Sequence, residues 1–199
     1  MRTKEPSSML DLSTFPASES LKIIIGAGEQ RWPGWTPTQK EDLDLLYSPV
    51  WANTFHSRLA DAFLCEHVWE HLTEAQGRAA AQLCFTYLKP GGYLRCAVPD
   101  AFFRDEAYQA TVKVGGPGPK DHPAADHQIV YTYHLFCDVF SSAGFEVDLL
   151  EYCDERGRFH YHQWDSQDGP IYRSLLFDHR NRDGRIGFVS LILDAYKPK

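Results

Sequence analysis

The side chains best suited to chemistry lie in the segment His67-Val68-Trp69-Glu70-His71. It matches the His-x-x-Glu-His pattern of one class of zinc proteases, in which both histidines must share a helical face. Here the segment follows directly on a buried apolar run, and the expected helix cap comes only later, at Thr73. The two histidines are therefore not expected to share a helical face, and no metal site is predicted. A zinc hydrolase using His67, Glu70 and His71 stays as an alternative.

A second group of titratable side chains lies in residues 101–128, a long stretch without clear helical or strand periodicity. Its second half holds the acidic and imidazole side chains of Asp121, His122, Asp126 and His127. Like His67, His127 is suited to act as a general base near neutral pH. Long loops in compact domains are often functional, and the glycines and prolines at 115–119 suit a mobile lid. Residues 101–128 are therefore predicted to be a substrate lid or insertion, with a plain solvated loop as the alternative.

The third feature is a glycine turn, Gly26-Ala27-Gly28, which follows the apolar run Leu21–Ile25. An unbroken β-branched run favours a central parallel strand covered on both faces. Glycine lets the backbone turn sharply and approach a ligand closely. In open α/β sheets, ligands bind at the carboxyl ends of the strands. The turn is a candidate ligand loop, although Gly-x-Gly after a strand also occurs in ordinary tight turns.

A strand–helix–strand unit is expected to position the His-x-x-Glu-His segment. Ala62–Cys65 is predicted to be a short buried strand, and Thr73-x-x-Gln76 is a capping-box pattern for the start of a helix. The helix should end at Lys89–Gly92, before a strand at Tyr93–Val98. Such a connection is normally a right-handed parallel crossover.

Further strands and helices are predicted around this unit. In chain order they are a short strand at 35–38, an edge element at 41–46, a helix from Ser48, a helix at 129–142, strands at 145–152 and 159–164, and a final strand at 187–196. This alternation predicts an α/β sandwich with a mostly parallel sheet. The last two strands have no helix between them and are expected to form an antiparallel edge. Residues 1–20 are predicted to be an arm before a single domain at 21–199.

Composition and charge limit the kinds of partner. The 199 residues carry a formal net charge of −7 with scattered basic residues, which argues against nucleic acid. The five cysteines are widely spaced and are expected to be free thiols in a reducing compartment. No apolar run approaches about 18 residues, so no membrane partner is predicted. We expect a cytoplasmic protein, and the sequence does not indicate its oligomeric state.

Three segments in this order resemble class I S-adenosylmethionine-dependent methyltransferases, most closely a branch of small bacterial type 11-like domains. They are IIIGAGEQ with PGW, DAFLCEHVWEHL, and YLKPGGYLRCAVPD. Ala143–Tyr152 is similar to a late strand of the family, and the resemblance covers about 21–197. It implies a Rossmann-like, doubly wound α/β sandwich with a mostly parallel seven-stranded sheet and an antiparallel last strand. It also implies S-adenosylmethionine as the cofactor.

The resemblance further implies which residues bind this cofactor. Gly26-Ala27-Gly28 would lie against the methionine moiety and the ribose. Gln39 stands where the family usually has an acid that holds the ribose hydroxyls, and Asp44 would face the adenine edge. The tripeptide Cys65-Glu66-His67 would flank the methionine part and the substrate.

Contacts to the substrate are expected from residues that follow the strands or lie in the long loop. The predicted substrate-binding residues are His71, Asp100, Phe103, Asp126 and Tyr131. Tyr131 is favoured over Tyr133 because Tyr133 fits the core stripe of the predicted helix.

The implied function is methyl transfer to an oxygen or nitrogen atom of a small molecule, with His67 or His127 as the base where the acceptor must lose a proton. The chain departs from the family at three positions. Ile24 replaces an acid found in many members, Gln30 replaces a third glycine, and Gln39 replaces the ribose-binding acid. A non-catalytic relative with weakened cofactor binding is the second alternative.

Overall fold

A seven-stranded mixed sheet forms the centre of the protein in the computed structural model, which describes residues 19–199 together with Leu12 and Pro16. Most of the arm predicted at 1–20 lies outside the described residues. In chain order the strands are β1 (Lys22–Ile25), β2 (Thr36–Pro37), β3 (Ala60–Glu66), β4 (Leu88–Pro99), β5 (Glu146–Cys153), β6 (Phe159–Tyr161) and β7 (Ser190–Tyr196). The α-helices of the described residues are α1 (Ser48–Phe55), α2 (Glu74–Tyr87), α3 (Glu106–Val112) and α4 (Tyr133–Ser141).

The strand order across the sheet is β2-β1-β3-β4-β7-β5-β6. Strands β1 to β4 pair in parallel, whereas β7 is antiparallel to both β4 and β5, and β6 is antiparallel to β5. The predicted fold class, a Rossmann-like, mostly parallel seven-stranded sheet with an antiparallel last strand, is confirmed. The last strand is not at an edge, however. It lies inside the sheet, which fits a strand in which every residue except Tyr196 is buried.

Helix α2 begins at the predicted capping box. The Thr73 hydroxyl accepts a hydrogen bond from Gln76 N (3.3 Å), and Gln76 Oε1 accepts one from Thr73 N (2.9 Å). Such a cap contributes about 1 kcal/mol and fixes the first turn of the helix. It thereby fixes the short connection of residues 67–73, which carries the His-x-x-Glu-His segment. With 14 residues, α2 is the longest described helix, and no described helix has the length and apolar character needed to cross a membrane.

Helices α1, α2 and α4 cover one face of the sheet. Aromatic rings fill much of this layer, with Trp51 stacked at 5.5 Å on Phe55 and edge-on at 5.6 Å to Phe63. Fully burying a large apolar side chain contributes about 1.5–3 kcal/mol, so this layer is a main source of stability. All five cysteines are free, as predicted, and four of them are buried.

The other face of the sheet is covered in a different way. Its buried apolar cluster contains strand residues together with Ala27, Trp35, Trp164 and Ile171, and no residue of the four described α-helices. Trp164 and Ile171 come from the long segment 162–189, which contains only short 3₁₀ turns at 166–168 and 179–184. An irregular segment can cover a sheet only if its backbone polar groups find partners.

Arg95 of β4 supplies several of these partners. Its Nε and Nη2 donate to the two carboxylate oxygens of Asp194 on β7, both at 2.8 Å, and its Nη1 donates to the carbonyls of Asp165 (2.7 Å) and Gly169 (2.8 Å). The guanidinium carbon lies 4.8 Å from the ring centre of Trp164. The side chains of Arg95 and Asp194 are only 3% and 4% exposed. One buried ion pair therefore joins two strands to the segment that covers them.

The predicted edge element at 41–46 is wrong. These residues form turns in which Asp42 Oδ2 accepts from Gln39 N and Asp44 Oδ1 accepts from Leu46 N, both at 2.8 Å. Aspartate side chains that bond nearby backbone groups compete with strand pairing. Leu43 and Leu45 are nevertheless buried, so the apolar pattern marked a packed loop rather than a strand.

Breaking the Arg95–Asp194 pair is expected to destabilise the protein strongly. Arg95→Met should lower the free energy of unfolding by about 3–5 kcal/mol, because it leaves the Asp194 carboxylate buried without its partner. The double variant Arg95→Met/Asp194→Leu should cost less than the sum of the two single variants, because no buried charge remains. Urea denaturation followed by tryptophan fluorescence measures each value.

The partly exposed ion pair between Lys89 and Asp61, at 2.7 Å, provides the control. Lys89→Met should cost about 1 kcal/mol, near the upper end for surface pairs. Equal costs for Arg95→Met and Lys89→Met would show that the buried pair does not hold the cover in place.

Candidate functional site

The glycine turn leads the chain from β1 directly to β2. Gly26 has φ +63° and Gly28 has φ +51°, both in the left-handed region that favours glycine. Residues 26–35, all of them described, form turns and contain no helix. A Cβ atom added at Gly26 would lie 2.6 Å from Val68 Cγ2, whereas one added at Gly28 would meet nothing within 4 Å. Gly26 is thus packed against the connection after β3, and Gly28 faces open space.

The amide of Gln39 holds this turn. Its Nε2 donates to Gly28 O at 2.9 Å, and its Oε1 accepts from Gly28 N at 3.2 Å. An aspartate is one methylene shorter and has no donor, so it cannot form both contacts. The predicted ribose-binding position therefore carries a side chain that already binds the glycine turn.

A cleft of about 620 Å³ opens at the carboxyl ends of β1 and β3. It is within the size range of small-molecule sites, about 300–1,000 Å³. The predicted site residues that line it are Gly26, Gln39, Asp44, His71 and Asp126. Further lining comes from the apolar side chains of Leu45, Val68 and Leu72 and from the polar side chains of Thr73, Gln76 and Gln128, which were not predicted. The capping box marks two of these polar residues, because it places them at the start of the helix that follows β3.

A smaller cleft of about 440 Å³ lies on the other side of Gly26. It is lined by the predicted residues Ala27, Gly28, Glu66 and His67, and also by Tyr172 and Arg173. The Glu66 carboxylate accepts hydrogen bonds from the backbone N–H groups of Tyr172 (2.8 Å) and Arg173 (2.9 Å). Its side chain is only 6% exposed. Glu66 therefore ties the segment 162–189 to the end of β3 and narrows the space beside the glycine turn.

His67 is held through both ring nitrogens. Its Nε2 lies 2.9 Å from Ser190 Oγ, and that hydroxyl donates to Arg173 O at 2.7 Å. Ser190 therefore accepts from His67 Nε2. The Nδ1 of His67 lies 3.0 Å from Glu70 Oε1. With φ +55° and its backbone N–H donating to Ala97 O, His67 belongs to a tightly fixed bend.

Glu70, His71 and His127 form a compact cluster beside the larger cleft. One possible ligand atom from each lies within 4.8 Å of the others, and the two imidazole ring centres are 4.9 Å apart. His71 Nδ1 lies 2.7 Å from Asp126 Oδ1, and His127 Nδ1 lies 2.9 Å from Val112 O. His127 is 6% exposed and Glu70 is fully buried. The sequence singled out all three residues but did not predict that His127 joins the other two.

The segment 101–128 is not wholly a loop as predicted, because it contains helix α3, and backbone contacts bring its end to this cluster. Gln128 N donates to Glu70 O at 2.8 Å, and Gly115 N donates to His127 O at 3.0 Å. Asp100 and Tyr131 form an isolated parallel bridge just beyond the loop. The loop thus has a fixed end at the cleft, and its role as a substrate lid stays a prediction.

Two predicted contact residues are fully buried and do not line either cleft. Cys65 lies in the core of the helix-covered face, because side chains alternate along β3 and Glu66 takes the outward position. Tyr131 is 0% exposed and packs its ring 4.8 Å from that of Phe136. Its predicted substrate-facing role is wrong because α4 begins only at Tyr133, after the Thr132 cap. Residues 129–131 precede the helix, so helical spacing assigned the wrong side to Tyr131.

Asp100 and Phe103 also lie outside the two clefts. The buried Asp100 carboxylate accepts from Cys153 N (2.7 Å) and Phe102 N (2.8 Å), and so joins β4 to β5. Burial raises the pKa of Asp100 to about 6, against the opposing effect of these N–H groups. Phe103 packs edge-on at 5.0 Å against Tyr108 of α3. Both residues support the loop rather than contact a ligand in the clefts.

Solved structures with a similar backbone fold identify the fold of this chain. One is a SAM-dependent methyltransferase from Archaeoglobus fulgidus, with a TM-score of 0.52 and 12% identity over 90% of this chain and 87% of that chain. Another is an O-methyltransferase family protein from Burkholderia thailandensis, with a TM-score of 0.52 and 11% identity over 92% of this chain and 52% of that one. The CurJ carbon methyltransferase has a TM-score of 0.51 and 14% identity over 94% of this chain and 51% of its own.

The chain therefore has the fold of S-adenosylmethionine-dependent methyltransferases, as the sequence resemblance implied. It spans about half the length of the second and third of these proteins. In sequence, no family model and no curated protein matches it.

Substitution of the two turn glycines should have unequal effects. Gly28→Ala should lower the free energy of unfolding by about 1–2 kcal/mol, the cost of a left-handed non-glycine residue. Gly26→Ala should cost clearly more, because its Cβ also meets Val68. Chemical denaturation of both variants, and of Gly26→Ala/Val68→Ala, measures this. If Val68→Ala fails to recover part of the loss in Gly26→Ala, the close approach to Val68 is not the cause.

Asp100 should make stability depend on pH in the acidic range. Because its pKa is raised to about 6 in the folded protein, its contribution is full below about pH 4 and is lost as pH rises through 6. Asp100→Asn should remove this dependence, on the order of 3 kcal/mol. Thermal or urea unfolding between pH 4 and 7 tests it, and parallel stability curves for wild type and variant would contradict it.

Proposed function

We propose that this chain, which has the fold of S-adenosylmethionine-dependent methyltransferases, transfers a methyl group from S-adenosylmethionine to an oxygen or nitrogen atom of a small molecule. The observation that carries the proposal is the larger cleft. It brings together Gly26 from the end of β1 and Gln39 and Asp44 from the turns after β2, at the strand ends where ligands bind in open α/β sheets. His71 and Asp126 complete the same cleft.

The lining of the larger cleft fits the cofactor. Leu45, Val68 and Leu72 offer apolar surface for a purine, and Asp44 offers a carboxylate for its amino edge. In the neighbouring smaller cleft, the open space at Gly28 lets a ligand approach the backbone closely. Gln39 would contact the ribose through a neutral amide, which is weaker than a carboxylate by about 1–2 kcal/mol.

The role of the protein in this reaction is mainly one of orientation. The cofactor supplies a methyl group that its sulfonium already activates. The chain's own residues hold the donor and acceptor in line, and such positioning contributes up to about 7–11 kcal/mol of barrier reduction. An acceptor hydroxyl or amine approaching from the side of His71 and Asp126 would meet the imidazole cluster. His127, with Nδ1 bonded to Val112 O, retains Nε2 as a basic atom and is favoured over His67, whose two nitrogens are both engaged.

A non-catalytic protein with weak cofactor binding is the second candidate. The Gln39 amide is already bonded to Gly28, and the Glu66 carboxylate is already bonded to Tyr172 and Arg173. Both groups would have to exchange protein contacts for ligand contacts. Each exchange lowers the net gain from binding.

Isothermal titration of the full chain with S-adenosylmethionine and S-adenosylhomocysteine tests the proposal. We expect one molecule to bind per chain, and Gln39→Asp to bind about tenfold more tightly if a carboxylate improves the contact to the ribose. Gln82→Asp, on the exposed side of α2, is the matched control and should leave binding unchanged. No binding of either compound at millimolar concentration would refute the proposal, and tight binding by the wild type would refute the weak-binding candidate.

A further inference from the structure

We propose that Glu70, His71 and His127 bind one divalent transition-metal ion, with zinc as the best match. The three side chains come from two distant segments, the connection after β3 and the end of the 101–128 loop. One possible ligand atom of each lies within 4.8 Å of the others. Zinc–nitrogen and zinc–oxygen distances are about 2.0–2.2 Å, so the three atoms would move closer together to share one ion.

The partners of the two imidazoles are those of metal-bound histidines. Such histidines usually donate their second ring N–H to a carboxylate or a backbone carbonyl, which fixes the tautomer and the ring orientation. His71 Nδ1 lies 2.7 Å from Asp126 Oδ1, and His127 Nδ1 lies 2.9 Å from Val112 O. The carbonyl of Val112 can only accept, so His127 Nδ1 donates and its Nε2 carries a lone pair. With His71 Nδ1 likewise donating to Asp126 Oδ1, the Nε2 of His71 carries the lone pair for a ligand bond.

The Glu70 carboxylate provides the independent observation. It is fully buried, and among the described residues neither of its oxygens has a hydrogen-bond partner. The one charged contact of Glu70 among the described residues joins Oε1 to His67 Nδ1 at 3.0 Å, and Oε2 has no hydrogen-bond partner there. A buried carboxylate oxygen without a partner is costly. A cation between Glu70 and the two imidazoles removes that cost.

The backbone holds the ligands in place without the ion. Gln128 N donates to Glu70 O at 2.8 Å, which fixes the residue after His127 against the residue before His71. The 69–71 segment is a 3₁₀ turn, and His127 is anchored at Val112, the last residue of α3. The site is therefore largely formed in advance, and the ion would bind without a large rearrangement.

The donor set determines the class of metal. Two imidazoles and one carboxylate suit zinc, and also iron(II), cobalt(II) or manganese(II), rather than calcium or magnesium. Three protein ligands leave at least one coordination position open. Of the three ligands, His71 lines the larger cleft, so the expected further ligand is an oxygen donor bound in that cleft, such as a hydroxyl or carboxylate.

This set differs from the zinc-protease reading of the sequence. There, His67 and His71 would both be ligands, but His67 is bonded to Ser190 and lies outside the cluster. His127 takes its place. The metal site does not require that the chain transfer methyl groups. A bound ion would occupy the His127 Nε2 lone pair, so His127 would serve as the base only in the metal-free protein.

Titration of EDTA-treated full-length protein with zinc chloride, without any cofactor, tests the site. We expect one equivalent per chain for the wild type, and at least 100-fold weaker binding for His71→Asn, His127→Asn and Glu70→Gln. Asp126→Asn should weaken binding about 10–100-fold, as other partners of ligating histidines do. The exposed His162 supplies the matched control, His162→Asn, which should bind zinc as the wild type does. Cobalt(II) absorption in the visible range reports nitrogen and oxygen ligation directly.

Less than about 0.2 equivalents of zinc in the wild type would overturn the proposal, as would unchanged affinity in His71→Asn. That variant is decisive because the His71 side chain is 29% exposed and its change should not prevent folding, which circular dichroism checks. If zinc binds but S-adenosylmethionine does not, the metal site stands and the proposed methyl transfer fails. If S-adenosylmethionine binds but zinc does not, the proposed cofactor binding stands and the metal site fails.

Discussion

The bidentate contact between Arg95 and Asp194 is the constraint on which the rest of the structure depends. It lies on the face of the sheet whose apolar cluster contains no residue of the described α-helices. There the cover is an irregular chain, whose carbonyls at Asp165 and Gly169 need buried donors. A guanidinium has five N–H groups in a fixed plane and can bind a carboxylate and two carbonyls together. Trp164 over the same guanidinium excludes water, which strengthens these contacts.

Carboxylates on the strands hold the same cover at other points. Glu66 at the end of β3 accepts from the backbone of Tyr172 and Arg173, and the buried Glu151 of β5 accepts from Leu175 N (2.8 Å) and Trp164 Nε1 (2.9 Å). The segment 162–189 therefore lines the smaller cleft as well as covering the sheet. A change in the segment 162–189 is coupled through Glu66 to the space beside the glycine turn.

Much of the fold could be predicted from the sequence because it rests on local patterns. The apolar run before Gly26 and the Thr73 capping box specify a strand end and a helix start by nearby contacts alone. The contacts and burial of individual polar side chains could not be predicted in this way. Gln39 binds back to the turn, and Tyr131 falls on the buried side because the helix begins two residues later. The meeting of His127 with Glu70 depends on the path of a long loop, on which periodicity has no bearing.

The direct passage from β1 to β2 has an electrostatic consequence. In phosphate-binding α/β proteins, a helix after the glycine turn directs about half a positive charge at the ligand. Residues 26–35 contain no such helix, and the N–H of Gln76 at the start of α2 is already bonded to Thr73. The cleft is instead lined by the carboxylates of Asp44 and Asp126 together with the ammonium group of Lys40. It therefore lacks the helix field that phosphate esters use and offers a ligand side chains of both charges.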